Sequence, residues 1–174
     1  MRVTRATPED IPRLQQFRRD AATWLAGRGS DQWSTPYPEE LLRASIEAGD
    51  VFLFHDQTPL ATVTLDAWAD PILWSPEEAL EPALYVHKLT LARPGSGGGL
   101  GRQILDWCGD RAARAGARWL RLDAWTTNPA LHAYYLSLGF TNLRTVYDAQ
   151  AYGSGWVAQR PAQPCNVGFK GPAE

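Results

Sequence analysis

The residues of this chain best suited to chemistry lie in a glycine-rich stretch, Gly95 to Gly101, between a strand-like run and a helix-like run. Glycines lack the Cβ atoms that would hold an anion away from the backbone. The first N–H groups of a helix have no intrahelical acceptor, and the helix dipole adds to their attraction for negative charge. The stretch therefore predicts a phosphate-binding site at the start of the helix.

The spacing of these glycines excludes two common nucleotide loops. A dinucleotide loop of the form Gly-x-Gly-x-x-Gly, begun at Gly95 or Gly97, places Leu100 or Arg102 at its last position. A Walker A loop ends in Gly-Lys-Ser/Thr, and no lysine follows any of these glycines. The phosphate must therefore belong to another kind of ligand.

A second segment, from Asn128 to Phe140, combines a short helix with residues that could handle protons. Asn128 is a good N-cap, Pro129 suits the first helical turn, and Gly139 ends the helix before a strand begins. Tyr135 lies within this helix, and its phenol is protonated at neutral pH because its ordinary pKa is about 10.

Together the two segments resemble the GNAT superfamily of N-acetyltransferases. The first resembles its pyrophosphate loop, Arg/Gln-x-x-Gly-x-Gly/Ala, with Gly99 and Gly101 in the glycine pair and Gly97 just before it. Ser96 stands where the family more often has a basic residue or glutamine.

The second segment resembles the family signature Asn-x-x-Ala-x-x-x-Tyr-x-x-x-Gly-Phe, with Leu131 or His132 in place of the alanine. The resemblance covers residues 84 to 146. It implies a single-domain α/β (α+β) fold, with a mixed, mostly antiparallel sheet splayed between its fourth and fifth strands and flanked by helices. We assign residues 1–160 to this domain and residues 161–174 to a C-terminal tail.

The resemblance implies transfer of an acetyl group from acetyl-CoA to a primary amine of a small molecule, by direct attack in a ternary complex. Acylation of a protein N-terminus or lysine is an alternative, as is a catalytically silent acyl-CoA-binding module. Acetyl-CoA is the expected cosubstrate and no metal is expected. The implied cosubstrate-binding residues are Leu89, Thr90, Leu91, Gly97, Gly98, Gly99, Leu100, Gly101, Arg102 and Asn128.

Three side chains are candidates for proton transfer. Tyr135 occupies the signature tyrosine position and is expected to protonate the leaving sulfur, with Tyr134 as the alternative hydroxyl. His87 lies on the strand before the loop, and its ordinary pKa of about 6.5 suits removal of a proton from the amine. Asp123, on the following strand, is the alternative base and would act through water.

Eight tryptophans are many for 174 residues, and five of them fall where the family builds its acceptor pocket, namely Trp24, Trp33, Trp68, Trp74 and Trp125. Of these we expect Trp24, Trp33, Trp68 and Trp125 to bind substrate, although core packing is the better explanation for any single tryptophan. Carboxylates at Asp31, Asp66 or Asp70 could then hold the acceptor's ammonium group.

Hydrophobic periodicity and turn residues predict the elements that must position these groups. We expect a loosely ordered tail after residue 161 and a long connection from Asp70 to Pro82. Strands are predicted over residues 2–5, 51–55, 60–68, 84–92, 119–125, 140–147 and 152–159, and helices over residues 7–27, 41–46, 100–115 and 129–138.

Composition sets the remaining expectations. The formal net charge of −2 argues against nucleic acid, and no apolar run reaches membrane-spanning length. The N-terminal residues lack the apolar core of a signal peptide, so a cytoplasmic location is expected. Cys108 and Cys165 lack metal-ligand spacing and are read as free thiols. The sequence leaves a homodimer open.

Overall fold

The computed structural model describes residues 1–92 and 98–171. Its strands are β1 (Arg2–Arg5), β2 (Val51–His55), β3 (Pro59–Asp66), β4 (Ala83–Leu91), β5 (Trp119–Ala124), β6 (Thr141–Thr145) and β7 (Trp156–Pro161). Its helices are α1 (Ile11–Ala26), α2 (Glu39–Glu47), α3 (Pro76–Ala79), α4 (Leu100–Arg114) and α5 (Pro129–Ser137). The chain divides into two compact units, Met1–Leu65 with Lys88–Ile104 and Val167–Glu174, and Asp66–His87 with Leu105–Asn166.

The first unit is built on an antiparallel β1–β2–β3 meander. Helix α1 follows a 3-10 turn in which the Thr7 N–H donates to Asp10 Oδ2 at 2.9 Å, so its first turn is capped as the sequence predicts. Apolar residues of α1, α2 and β2 form one buried cluster, whose members are Ala6, Ile11, Leu14, Phe17, Leu42, Ile46, Val51 and Leu53.

The second unit contains the parallel pair β4–β5 and the antiparallel pairs β5–β7 and β6–β7. Pairing of β4 with β5 extends from Ala83–Trp119 to Val86–Leu122 and ends there, although β4 continues to Leu91 and β5 to Ala124. The pairing of the two strands therefore ends just before His87. The mixed, mostly antiparallel fold class predicted from the sequence is confirmed.

A buried arginine organises the second unit. The Arg121 side chain is fully buried; it donates to Tyr85 Oη at 3.0 Å and to Gln159 Oε1 at 3.0 Å, and it pairs with the Glu81 carboxylate. Its guanidinium lies 4.7 Å from the ring centroid of Trp74. Trp74 is thus a structural residue of this unit.

Two sequence predictions about connections were wrong. The segment from Asp70 to Pro82 contains helix α3, because Ser75 and Glu78 form a reciprocal capping box at its start. The tail is also held by specific contacts. Lys170 accepts a backbone hydrogen bond from Val3 at 2.7 Å, and the Phe169 ring packs on Phe54 at 5.4 Å. Within the described ranges, no helix is long and apolar enough to span a membrane.

Candidate active site

The start of helix α4 presents an open backbone. The Gln103 N–H donates to the Gly99 carbonyl at 3.2 Å, so the N–H groups of residues 100–102 precede the first intrahelical bond. Gly99 has φ +76°, and a Cβ built on Gly98 or Gly99 would meet no atom of the described residues within 4 Å. An anion can therefore approach these N–H groups closely. Of the other predicted loop glycines, Gly101 lies in the first turn of α4, and Gly97 lies outside the described residues.

In the second unit, the carboxylates of Asp66 and Asp123 lie beside the His87 ring. His87 Nε2 lies 3.3 Å from Asp66 Oδ1, and His87 Nδ1 lies 3.6 Å from Asp123 Oδ1. All three side chains are between 16% and 20% exposed, so the cluster is mostly buried yet reachable from solvent. The structure thus brings together His87 and Asp123, the two predicted alternatives for the base.

The two carboxylates set the proton affinity of the imidazole. Burial lowers the pKa of His87, but its interactions with Asp123 and Asp66 outweigh burial and raise the pKa from 6.5 to about 9. At neutral pH the imidazole is therefore protonated, donates to Asp66 and forms an ion pair with Asp123. The cluster can hold a proton near neutrality and release it in mildly alkaline solution.

A tight turn in the second unit completes the cluster. Ser154 Oγ donates to Asp123 Oδ2 at 2.5 Å, which leaves Oδ1 of that carboxylate for His87. Gly153 precedes this serine with φ +84°, and a Cβ there would lie 2.7 Å from the Trp125 ring. Only glycine fits this turn, and Trp125 packs closely against it. Trp125 therefore helps to position Ser154.

Tyr135 is buried in the second unit at 7% exposure. Its ring packs edge-on against Phe140 at 5.7 Å and stacks with Trp156 at 6.3 Å. Burial, assisted by the charge of Asp123, raises the pKa of the Tyr135 phenol well above its ordinary value. The phenol is consequently protonated at every physiological pH and can act only as a proton donor.

Strand β4 is irregular at Lys88, which has φ +53°, a left-handed conformation uncommon for a residue other than glycine. No feature of the sequence predicted this bend. Beyond it, Lys88 and Thr90 line a cavity of 460 Å³ within the first unit, which α1, the α1–α2 connection and β3 also line. Thr90 lines this cavity, and its Oγ1 donates to the Lys88 carbonyl at 2.9 Å.

The four tryptophans expected to bind substrate lie in different places. Trp33 lines the cavity of the first unit, whereas Trp24 stacks with Arg28 at 3.8 Å and is not among the lining residues. Trp68 and Trp125 belong to the second unit. No aspartate lines the described wall of the cavity, and Asp66 contacts His87 instead.

Asn128 caps helix α5, accepting a hydrogen bond from the Leu131 N–H at 3.1 Å. Sequence reasoning assigned no role to Ser154 or Lys88 and considered Asp66 only as an ammonium ligand. A carboxylate at the end of a strand was the one available signal for Asp66. Among the described residues, no group of three or more histidine, cysteine or acidic side chains is arranged to hold a metal.

Sequence comparison identifies related proteins. The family model described as the acetyltransferase (GNAT) family matches residues 14–140. The uncharacterized N-acetyltransferase YesJ of Bacillus subtilis (strain 168) is 32% identical to this chain over 143 residues, which is 78% of each protein. The match to the family model therefore begins in α1, far before the glycine-rich loop and the segment from Asn128 to Phe140.

Solved structures share the fold. A GNAT-family acetyltransferase from Listeria monocytogenes superposes with a TM-score of 0.77 at 23% identity, over 91% of this chain and 93% of that chain. The PaiA N-acetyltransferase of Thermoplasma acidophilum, solved in complex with coenzyme A, gives a TM-score of 0.68 at 19% identity, over 91% and 97%. These likenesses agree with the fold predicted from the sequence.

Proposed function

Because this chain belongs to the GNAT family of acetyltransferases, we propose that it acetylates the primary amine of a small molecule by direct attack in a ternary complex. The family establishes acetyl-CoA as the acyl donor. In this reaction the amine nitrogen bonds to the acetyl carbonyl carbon as the carbon–sulfur bond breaks. Starting from the ammonium form of the amine, two protons leave nitrogen and one reaches sulfur, giving an amide, a free thiol and one proton released to solvent. The observation that carries the proposal is His87 held between two carboxylates.

His87 is the proton acceptor in this proposal. An alkyl ammonium has a pKa of about 10, so a histidine with a pKa of about 9 receives its proton at little cost. A histidine at its ordinary 6.5 would be a much weaker acceptor for the same proton. Asp66 and Asp123 stabilise the imidazolium that forms, and Ser154 holds Asp123 in place.

Tyr135 is the proposed proton donor to the sulfur. Its raised pKa keeps the phenol protonated, as a general acid must be before transfer. The bend at Lys88 changes the backbone direction just before Leu89, and we assign the N–H of Leu89 to the developing carbonyl oxyanion.

The start of α4 fits the pyrophosphate of acetyl-CoA. The first N–H groups of the helix, the left-handed Gly99 and the open space beside Gly98 and Gly99 among the described residues leave room for phosphate oxygens. Arg102 is exposed in the first turn and can add a side-chain contact. The 460 Å³ cavity of the first unit lies within the usual range for small-ligand sites, which supports a small acceptor.

The proposal is tested by incubating the protein with acetyl-CoA and a panel of primary amines while free thiol is measured. Wild-type protein should release thiol and form an N-acetyl product with at least one small amine. His87→Ala should lower that turnover about 10²–10⁴-fold near pH 9, where a large share of wild-type His87 is neutral and can accept the proton. Part of the lost turnover should return at still higher pH, where the free amine is abundant. Thiol release that His87→Ala leaves unchanged at every pH would reassign the base, and thiol release only with peptides would reject a small acceptor.

A further inference from the structure

The cavity of the first unit is lined by positively charged side chains that lie against aromatic rings. Arg18 from α1 and Lys88 from β4 both line it, beside Trp33 and Tyr37 from the α1–α2 connection. The Arg18 guanidinium lies 4.7 Å from the Trp33 ring centroid and 5.6 Å from that of Tyr37. Lys88 Nζ lies 4.4 Å from the centroid of the same Tyr37 ring. Two cations therefore share one aromatic side chain.

This charge lacks an acidic partner within the described part of the chain. The described lining residues include no aspartate or glutamate, and no ion pair of Arg18 or Lys88 occurs among the described residues. Glu39 approaches the rim, but its carboxylate accepts from Gln15 and Arg43. Arg18 Nε is buried and makes no hydrogen bond with any of the described residues. A buried donor without an acceptor is costly, which indicates that a ligand supplies the acceptor.

The other walls suit the rest of an amphipathic molecule. Leu14, Ala22 and Leu42 contribute apolar surface, and Thr62 and Thr64 from β3 contribute hydroxyl groups. The volume of 460 Å³ is at the small end of ligand sites, so it fits an amino acid or a similarly small compound rather than a protein segment.

We propose that this cavity binds the acceptor and that the acceptor carries a carboxylate, which pairs with Arg18 and Lys88 while its apolar part lies against Trp33 and Tyr37. The inference rests on the proposed function and specifies its substrate class as amino carboxylates. It replaces the expectation of a cationic acceptor held by aspartates. A planar guanidinium pairs with a carboxylate through two parallel hydrogen bonds, and Arg18 Nε has no acceptor among the described residues.

The test compares acids with their amides as acceptors for the whole protein. Glycine, γ-aminobutyrate, ε-aminocaproate, leucine and phenylalanine are each assayed with acetyl-CoA as the free acid and as the carboxamide. Binding of the corresponding N-acetyl acids and N-acetyl amides to the CoA-saturated protein is measured by calorimetry. For at least one pair, kcat/KM should be at least about tenfold higher for the acid than for its amide. The N-acetyl acid should likewise bind at least about tenfold more tightly than the N-acetyl amide.

Arg18→Gln and Lys88→Gln should each abolish this preference, mainly through a higher KM for the acid, and should leave the Kd for acetyl-CoA unchanged. Arg13→Gln is the matched control, because Arg13 is exposed on the same helix and does not line the cavity. It should keep the wild-type preference. Circular dichroism melting curves confirm that each variant is folded.

Three results would overturn the inference. The first is the absence of an acid-over-amide preference in both turnover and binding. The second is a preference that survives in Arg18→Gln and Lys88→Gln. The third is weaker acetyl-CoA binding in those variants with an unchanged acceptor KM, which would assign the cations to a phosphate of the cosubstrate. Thiol release with amides alone would preserve the proposed function while rejecting the carboxylate, so the two failures are distinguishable.

Discussion

At the scale of single residues, the environment of His87 matters more than its identity. An imidazole with an ordinary pKa would be neutral at pH 7.5, whereas the carboxylates of Asp66 and Asp123 raise its pKa to about 9. The strand alternation predicted the position of His87, but the contact with Asp66 joins residues 21 positions apart. Sequence alone gives no access to such a distance, so the resulting shift in pKa could not be predicted.

The pH dependence of turnover follows from this shift. Only neutral His87 accepts a proton, so kcat should rise with pH through about 9 and should be low near pH 6.5. Asp66→Asn removes one of the charges that raise the pKa of His87. The rising limb should therefore move about one to three pH units lower in this variant. Initial rates at saturating substrates, measured across the pH range, give the rising limb of kcat for the wild-type protein and for Asp66→Asn.

Asp70→Asn is the control for this profile, because Asp70 is a neighbouring carboxylate whose side chain accepts from the Ile72 N–H instead. It should retain the wild-type profile. A rising limb at the same pH in wild-type and Asp66→Asn proteins would show that the acceptor amine, rather than His87, titrates.

The role of Tyr135 is separable from its packing. Tyr135→Phe keeps the ring contacts with Phe140 and Trp156 and removes only the hydroxyl. If this hydroxyl protonates the sulfur, kcat should fall about 10²–10⁴-fold while the Kd for acetyl-CoA stays near the wild-type value. Tyr134→Phe, on the exposed neighbour, should leave kcat unchanged. An undiminished kcat in Tyr135→Phe would limit Tyr135 to packing.

At the scale of elements, the glycine before α4 is open to a direct test. Gly99 has φ +76°, and valine in that conformation costs about 1–3 kcal/mol and adds a side chain where phosphate is expected. Gly99→Val should weaken CoA binding at least tenfold in calorimetry. Gly116→Val is the matched control, because Gly116 also has a positive φ, +77°, and open space beside it, but ends α4. Equal loss of CoA affinity in both variants would attribute the effect to stability alone.

Local signals predicted most elements because caps and periodicity are local properties. Asn128 caps α5 and Thr7 begins the turn before α1, as their sequence contexts indicate. The capping box at Ser75 was equally visible, yet the surrounding prolines favoured a loop. The bend at Lys88 had no such signal, because a left-handed lysine depends on contacts distant in sequence.

At the scale of the whole molecule, buried charge and ligand-binding charge have different consequences. Arg121 is fully buried, and other side chains of the protein bind its guanidinium. The buried Nε of Arg18 has no hydrogen-bond partner among the described residues. Composition gives a net charge of only −2 and does not reveal this difference. The structural arginine should therefore govern stability, and the cavity arginine should govern acceptor affinity.

Arg121→Gln tests the structural half of this distinction. It leaves Glu81 and Tyr85 without their charged partner and should lower the free energy of unfolding by about 3–5 kcal/mol in urea titrations. Arg114→Gln removes an exposed pair with Asp110 and should cost less than about 1 kcal/mol. Similar losses in the two variants would contradict a special role for the buried network.

Direct acetyl transfer to a small amine is the central claim, and two-substrate kinetics test it most directly. Initial rates are measured while acetyl-CoA and an accepted amine are varied together, and the intact protein is weighed by mass spectrometry after acetyl-CoA alone. Direct attack in a ternary complex predicts intersecting double-reciprocal lines and a protein of unchanged mass. Parallel lines together with an acetylated protein would contradict the account.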